Sequence, residues 1–463
     1  MDISIGGGLV KEYDIIVIGG GDVGLAVAFR AVSPGMRIAL IEKGKLGGTC
    51  VNVGCVPSKM LVYPATLAAQ IREAKKFGIR SEVSSIDFNS IMLRMRKAVK
   101  NGRSSIEDTV RDSKNLDFYH QEFRFSGRHA LRSAATQIKG RKIFIATGAR
   151  PAVPTLDGLS DIDYLTNDSL LDLNIRPKDM IILGGGYVGC EYAHFFSAMG
   201  TRVTVLERGD RLIPQAEPDI SELLKKRLSQ RMKIHTGAEA LSVGRTSKGC
   251  SLTFRDGRTG RTRRVASERL LVAVGRRSNA DLLSLEDGGI ETNEAGYIRV
   301  NDFLETNIRN IWALGDAIGR QMFTHAGDKE AEIALHNANS AKKMKMDFDA
   351  VPSVVFTYPE VASVGLTEEQ ARKRFKVLVG RASYSDIVQG DAMMEKDGFA
   401  KAIVNKNTRR ILGFHIIGPY ASHIIQEVVN AVVNKNTVEY ITGSMHTFPS
   451  LSELITEALG NLG

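Results

Sequence analysis

Tyr13-Asp14-Ile15-Ile16-Val17-Ile18-Gly19-Gly20-Gly21-Asp22-Val23-Gly24 is the stretch that decides the fold class. Its first six residues read as a fully buried strand, and a glycine turn follows without a spacer. A helix through Ala26 and Ala28 to about Val32 comes next, then a second strand, Arg37-Ile38-Ala39-Leu40-Ile41-Glu42. Strand, glycine turn, helix, strand and terminal acid is the order of a dinucleotide-binding βαβ unit. Gly19 permits the tight turn, Gly21 lets the backbone approach a pyrophosphate, and Gly24 lets the helix lie close to the strand. The helix N-terminus faces the phosphates, and Glu42 can accept from ribose hydroxyls.

The same order returns about 165 residues later. Met180-Ile181-Ile182-Leu183 reads as a strand, and Gly184-Gly185-Gly186-Tyr187-Val188-Gly189 is its turn. A helix to about Met199 and the strand Arg202-Val203-Thr204-Val205-Leu206-Glu207 complete it. A lone glycine turn of this kind is weak, but two with all their flanking elements predict two dinucleotide sites, the second centred on Gly184, Gly186, Gly189 and Glu207.

Between the two turns lies Gly47-Gly48-Thr49-Cys50-Val51-Asn52-Val53-Gly54-Cys55-Val56-Pro57-Ser58-Lys59. Two cysteines four residues apart, in a glycine-rich turn running into a helix, can close a small disulfide ring. Pro57 suits the first turn of that helix, having no N–H to leave unpaired. Cys55 then stands near a helix N-terminus, whose partial positive charge favours a thiolate. A structural disulfide or half of a zinc site are the alternatives. Zinc needs two more ligands, and Cys190 and Cys250 are isolated and far away.

The bulk numbers agree with an ordinary globular protein. The chain has 463 residues, 43% hydrophobic and 25% charged, which is too long for one core and implies two to four domains. No run of 18 apolar residues predicts a membrane span. The start, Met1 to Gly8, lacks the pattern of a signal peptide, and its glycines suggest a flexible tail. Four cysteines make no disulfide scaffold, so a reducing cytoplasm is expected. The net charge of +10 is scattered, except at Arg261-Thr262-Arg263-Arg264, which reads as a solvated hairpin tip; no specific nucleic-acid partner is expected.

Further strands are expected at Lys142 to Pro151, Leu270 to Arg277 and Asn310 to Ala317, the last ending in Asp316. Residues 58–111 read as mostly helical, and 117–146 as short antiparallel strands. From about Asp349 the pattern changes to strands and helices that include Val354-Val355-Phe356 and Gly413 to Gly418.

From about Lys11 to the C-terminus the chain resembles the class I FAD-dependent pyridine nucleotide–disulfide oxidoreductases, the family of lipoamide dehydrogenase and mercuric reductase. The resemblance implies an α/β fold: two Rossmann-like (three-layer β-β-α) nucleotide-binding domains plus an α+β C-terminal dimerisation domain. It implies boundaries at 1–150 (FAD), 151–278 (NAD(P)), 279–348 (the second part of the FAD or central domain) and 349–463 (dimerisation). Electrons would pass from NAD(P)H through FAD to a redox-active Cys50–Cys55 disulfide, then to a small-molecule or lipoyl-type disulfide or thiol, as in dihydrolipoamide dehydrogenase. Cys55 would face the flavin and Cys50 would exchange with substrate. Lys59 would approach the flavin N5 and pair with Glu191, and Asp316 would hold the ribityl chain. Lys43, Gly48, Thr49, Thr147, Gly148, Gly275, His325 and Ala326 fall among the family's cofactor-binding positions. Glu207 favours NADH over NADPH, although Arg208 and Arg211 follow it. A homodimer with shared active sites is implied.

One departure stands out. The family's His-Pro-Thr-x-x-Glu segment, whose His is the acid–base of the partner subunit's outer thiol, is matched here by Phe448-Pro449-Ser450-Leu451-Ser452-Glu453. A phenyl ring cannot take a proton, and losing a positioned base costs roughly 10²–10⁴-fold. Mercuric reductases and the 2-ketopropyl-coenzyme M carboxylase branch also lack this His. Gly460-Asn461-Leu462-Gly463 lacks the terminal cysteine pair of the former, and Glu453 is retained where the latter has exchanged the family's Glu for His. His446 could substitute only after a backbone adjustment. A mercuric or other metal-ion reductase is the rival enzyme; a non-catalytic lipoyl- or RNA-binding assembly subunit is the rival of another class.

Overall fold

The computed structural model describes residues 3–4 and 9–463, so the expected tail at Gly6 to Gly8 lies outside the described residues. The chain forms two compact units. The first holds residues up to Pro57, Arg94–Ala152 and Arg276–Phe348; the second holds Ser58–Leu93, Val153–Gly275 and Asp349–Gly463.

In the first unit the strand Leu9–Ile18 has Ile38–Ile41 and then Leu116–Tyr119 on one side and Gln137–Ile145 on the other, all parallel. Ile15, Ile16, Val17 and Ile18 are buried, as strands covered on both faces require. The end of Gln137–Ile145 also pairs, in parallel, with Ile311–Ala313. Residues beyond 300 therefore complete a sheet begun near residue 9.

Three expectations are corrected here. Residues 117–146 are not all antiparallel: Leu116–Tyr119 runs parallel to Ile38–Ile41. The chain reaches it through the helix Phe88–Asp112, and a helical crossover returns a strand in parallel. The stretch Leu270 to Arg277 splits into Arg269–Val272 and Arg276–Ser278, because Gly275 takes a φ of +130° between them. Asn310 to Ala317 is strand only over Ile311–Ala313, and Asp316 sits in the single turn Gly315–Ile318.

The second unit contains the other parallel sheet, in the order Lys233–Thr236, Arg202–Glu207, Asp179–Leu183, Arg269–Val272. Beside it in sequence lies an antiparallel sheet of Ala238–Thr246, Gly249–Asp256 and Thr262–Ser267. Arg263 and Arg264 are in this last strand rather than at the hairpin tip, paired with Phe254 and Thr253. A five-stranded antiparallel sheet from Ser353–Val355 to Ile411–Gly418 closes the C-terminal part. Its core joins Phe414 and Ile416 to Ile425 and Val428 of the helix Ala421–Val433 and to Leu454 of Glu453–Gly460. No helix among the described residues is long and apolar enough to cross a membrane.

A buried ion cluster fastens the Pro218–Leu228 helix to the C-terminal sheet. Lys401 donates to Glu217 at 2.7 Å and stands 2.8 Å from Glu368. Burial opposes the charge on Lys401, but its bonds to Glu217 and Glu368 prevail and raise its pKa. The Lys401 bond in turn lowers that of Glu368. The lysine's contribution is therefore present at neutrality and lost as pH rises through its raised pKa. That of Glu368 is lost in acid. Lys401→Ala strands Glu217, which is 1% exposed, and should cost about 3–5 kcal/mol. Urea unfolding of the variant measures it; a loss below about 1 kcal/mol would show that solvent already screens the cluster.

Candidate active site

The two glycine turns have the same geometry. Gly19 has φ +112° and Gly184 φ +111°; a Cβ on either would lie 2.2 Å from a carbonyl oxygen, of Ala146 and Ala273 respectively. A Cβ on Gly24 would meet the Gly19 oxygen at 1.9 Å, and one on Gly189 the Gly184 oxygen at 2.0 Å. Each turn is clamped by the acid that ends the next strand. Glu42 accepts from Gly20 N–H at 2.7 Å and Gly44 N–H at 2.6 Å. Glu207 accepts from Gly185 and Gly209, both at 2.6 Å. Carboxylates have about four acceptor directions, so either can still take a ribose hydroxyl. The helices Asp22–Ala31 and Tyr187–Ala198 start from Gly21 and Gly186 with no side-chain cap, leaving their first N–H groups to a ligand.

In the first unit the residues present fit a flavin adenine dinucleotide. Gly48, with φ +51°, lies so close to Gly21 that a Cβ would stand 2.7 Å from the Gly21 Cα. This backbone contact joins the dinucleotide turn to the cysteine segment. Thr147 Oγ1 is buried without a partner, and Gly148 beside it has φ +66°. Asp316 is half-buried, and its partial removal from water raises its carboxyl, with Arg276 opposing from 3.1 Å. Arg276 also donates to Thr49 Oγ1 at 3.2 Å and to the Ala149 carbonyl. His325 stacks on Phe323 and Ala326 is buried, while Lys43 points to Glu122 at 3.6 Å on the exposed rim. In the second unit, Gly186 and Gly275 both have open space where a Cβ would stand.

Cys50 lies in the short helix Gly48–Asn52, and Cys55 is the first residue of Cys55–Glu73. Cys55 is exposed and Cys50 half-buried. Cys55 Sγ lies 3.3 Å from Thr324 Oγ1. The Cys50 thiol is pushed well above its ordinary value, first by its hydrogen bond to Cys55 and then by burial, with a bond to Thr324 opposing. Cys50 thus keeps a proton while Cys55, at the helix start, is the sulfur placed to ionise.

Lys59 follows Cys55 by one turn of the same helix. Its ammonium donates to both oxygens of Glu191, at 2.9 and 2.8 Å, and lies 4.2 Å from the Phe356 ring centroid. Glu191 is 7% exposed and also accepts from the Phe356 N–H at 3.1 Å. The pair foreseen from the resemblance is therefore formed, with Phe356 as an added support.

Near the C-terminus Phe448 is 71% exposed. Glu453 accepts from the Ser450 N–H at 3.0 Å, so it orders its own loop. His446 bonds Glu427 at 2.9 Å and faces the Ser444 carbonyl, which leaves it committed elsewhere. Sequence reasoning missed Arg276 and Thr324. Neither belongs to a local pattern, and Thr324 is 269 positions from Cys55.

Residues 13–331 match the family model of the pyridine nucleotide-disulphide oxidoreductases, and 351–459 match the model of their dimerisation domain. The chain belongs to this family. Family members are FAD-dependent and use a pyridine nucleotide. Mycothione reductase of Mycobacterium tuberculosis is 34% identical, aligned over 97% of this chain and 99% of its own. Dihydrolipoyl dehydrogenase of Chlamydia muridarum is also 34% identical, over 97% and 96%. Among solved structures, the HOCl-induced flavoprotein disulfide reductase RclA from Escherichia coli has a TM-score of 0.85 at 29% identity, covering 97% of this chain and 99% of its own. A Cu(II) complex of RclA gives 0.86 at the same identity and coverage.

Within this oxidoreductase, Thr324→Val removes the hydroxyl that holds the Cys50 pKa down. The pH midpoint for alkylation of the reduced thiols should move up by less than about one pH unit, the worth of one hydrogen bond. Iodoacetamide rates against pH measure it; an unmoved midpoint would show that the hydroxyl does not act on the thiols.

Proposed function

We propose that this chain is an FAD-dependent reductase that oxidises NADH and carries two electrons through Cys50 and Cys55 to a disulfide or thiol-type acceptor. The observation that carries the reading is the Cys50–Cys55–Thr324 cluster at the start of the helix that also carries the Lys59–Glu191 pair. Bound flavin would supply two-electron exchange between nicotinamide and sulfur. Gly21, Gly48, Thr49, Thr147 and Asp316 would hold it, and Lys59, fixed by Glu191, would supply a positive charge. Glu207 supports NADH: a 2′-phosphate would meet a carboxylate already tied to the backbone, with Arg208 and Arg211, which follow it in the chain, as the opposing charges. The implied domain boundaries, a homodimer with shared sites and a cytoplasmic location belong to the same reading.

With a disulfide acceptor, Cys50 gives its proton to solvent and its sulfur attacks one substrate sulfur, so that the first substrate thiolate leaves. The Cys55 thiolate then attacks Cys50, closes the Cys50–Cys55 disulfide and expels the second substrate thiol. Each expelled thiolate needs a proton. Phe448 has none to give, so solvent must supply it and turnover of ordinary disulfides is slow.

A second reading is favoured by that same residue. A thiophilic metal ion takes two electrons as Cys50 and Cys55 close their disulfide and the Cys50 proton passes to solvent; no leaving thiolate has to be protonated, so Phe448 costs this reaction less. Mercuric reductase of Lysinibacillus sphaericus is 32% identical over 96% of this chain and 82% of its own, and RclA has been solved as a Cu(II) complex.

Phe448→His should raise lipoamide or glutathione disulfide reduction about 10- to 100-fold, less than a full general base because the pocket was shaped around a ring. Reduction of Hg²⁺ or Cu²⁺ should stay level. NADH-dependent turnover of each acceptor by wild type and variant decides between the readings. No gain with any disulfide, beside fast metal turnover, would overturn the disulfide reading.

A further inference from the structure

The two dinucleotide turns, otherwise alike, differ at the first helical residue. The second turn presents Tyr187, whereas the first presents Asp22. A carboxylate at this place is unusual in its effect. The helix start is where a dinucleotide's diphosphate is drawn by unpaired N–H groups, so an ionised acid there opposes the very ligand that the turn attracts.

The surroundings of Asp22 add to the conflict. Val23 holds the start of this helix against Gly315 and Gly327, since a Cβ on Gly327 would stand 2.3 Å from Val23 Cγ2. Asp328 follows Gly327 on the Thr324–Asn339 helix, and its charge acts on Asp22. The Gly21–Gly48 contact brings Cys50 near as well, and the field of Asp22 reaches that thiol.

The Thr324–Asn339 helix carries His325, Asp328, the buried Glu330, whose carboxyl burial pushes up to about 7, Lys329 paired with Glu332 at 2.8 Å, and His336. The turn Gly315–Ile318, which Val23 touches, carries Asp316, 3.1 Å from Arg276. The strand Ile38–Ile41 leads to Glu42, taken by Gly20 and Gly44. The Gly48–Asn52 helix offers the Cys50 thiol. The opposing cation is Arg30 on the same helix, and it is bonded to Asp328 at 2.8 Å. The Asp22 carboxyl accordingly lies above its ordinary value, by burial first and by Asp328 second, with Arg30 pulling it down.

We propose that Asp22 ties flavin retention to a proton: the cofactor's diphosphate is held with Asp22 as the neutral acid, and ionisation of Asp22 loosens it. The inference rests on the flavin reading above. Bringing in a diphosphate raises the cost of the Asp22 charge further, so binding takes up a proton. Affinity is then fullest below the pKa of Asp22 in the flavin-free protein. It falls as pH rises, by up to about tenfold per pH unit, until the pKa of the flavin-bound form is passed. The Tyr187 turn carries no such acid, so nucleotide binding there lacks this dependence.

The test uses the full-length holoenzyme, diluted in series from about pH 5 to about pH 9, with freed flavin read by its fluorescence. Wild type should lose flavin more readily as pH rises, by up to about tenfold per unit. Asp22→Asn should retain it with a flat profile and about tenfold or more tighter at the alkaline end; Asp22→Ser, which also lacks the charge, should behave alike and guards against a folding defect of one variant. Parallel profiles for wild type and both variants would overturn the inference while leaving the flavin reading intact. A protein that holds no flavin at any pH would overturn both.

Discussion

A carboxylate bonded to two backbone N–H groups is the interaction on which the rest of the structure depends. Glu42 holds Gly20 and Gly44, and Glu207 holds Gly185 and Gly209. Each clamp fixes a glycine turn whose left-handed first residue and close-fitting last residue exclude side chains. Each turn then aims an uncapped helix N-terminus at the place where phosphates bind. In the first unit the clamp reaches further. Gly21 touches Gly48, and two residues on stands Cys50, so the geometry of the glycine turn also positions the cysteine segment.

The cysteine segment shows how a short helix can divide labour between two identical side chains. Cys55, at a helix start and open, is favoured as the thiolate, while Cys50, half-buried and bonded to it, keeps its proton. Thr324 touches the pair from a distant part of the chain, and Lys59 carries the same helix on to Glu191. In the proposed reaction Phe448 stands where the resemblance implies a proton donor, so the proposal makes the thiol pair well suited to giving electrons and poorly supplied with protons.

Much of this was legible in the sequence because steric necessity is local. Only glycine fits Gly19, Gly24, Gly184 and Gly189, so their spacing could be read directly, as could the acids at Glu42 and Glu207. The Lys59–Glu191 pair came through family resemblance and not through pattern, for nothing local joins residues 132 apart. Arg276, Thr324 and the Lys401–Glu217 cluster were not legible, since each depends on strands and helices meeting across long stretches of chain. The parallel pairing of Leu116–Tyr119 was misjudged because alternation reports which face is buried and says nothing of strand direction. The exposure of Phe448 and the commitment of His446 to Glu427 likewise needed the folded loop.

The central claim is that Cys50 and Cys55 store the electrons taken from NADH. Counting thiols in the unfolded protein, before and after anaerobic NADH, tests it directly. The chain has four cysteines, so setting aside the Cys50–Cys55 disulfide leaves about two thiols in the oxidised enzyme, rising to about four after reduction. A count that stays the same, with NADH consumed, would contradict the account.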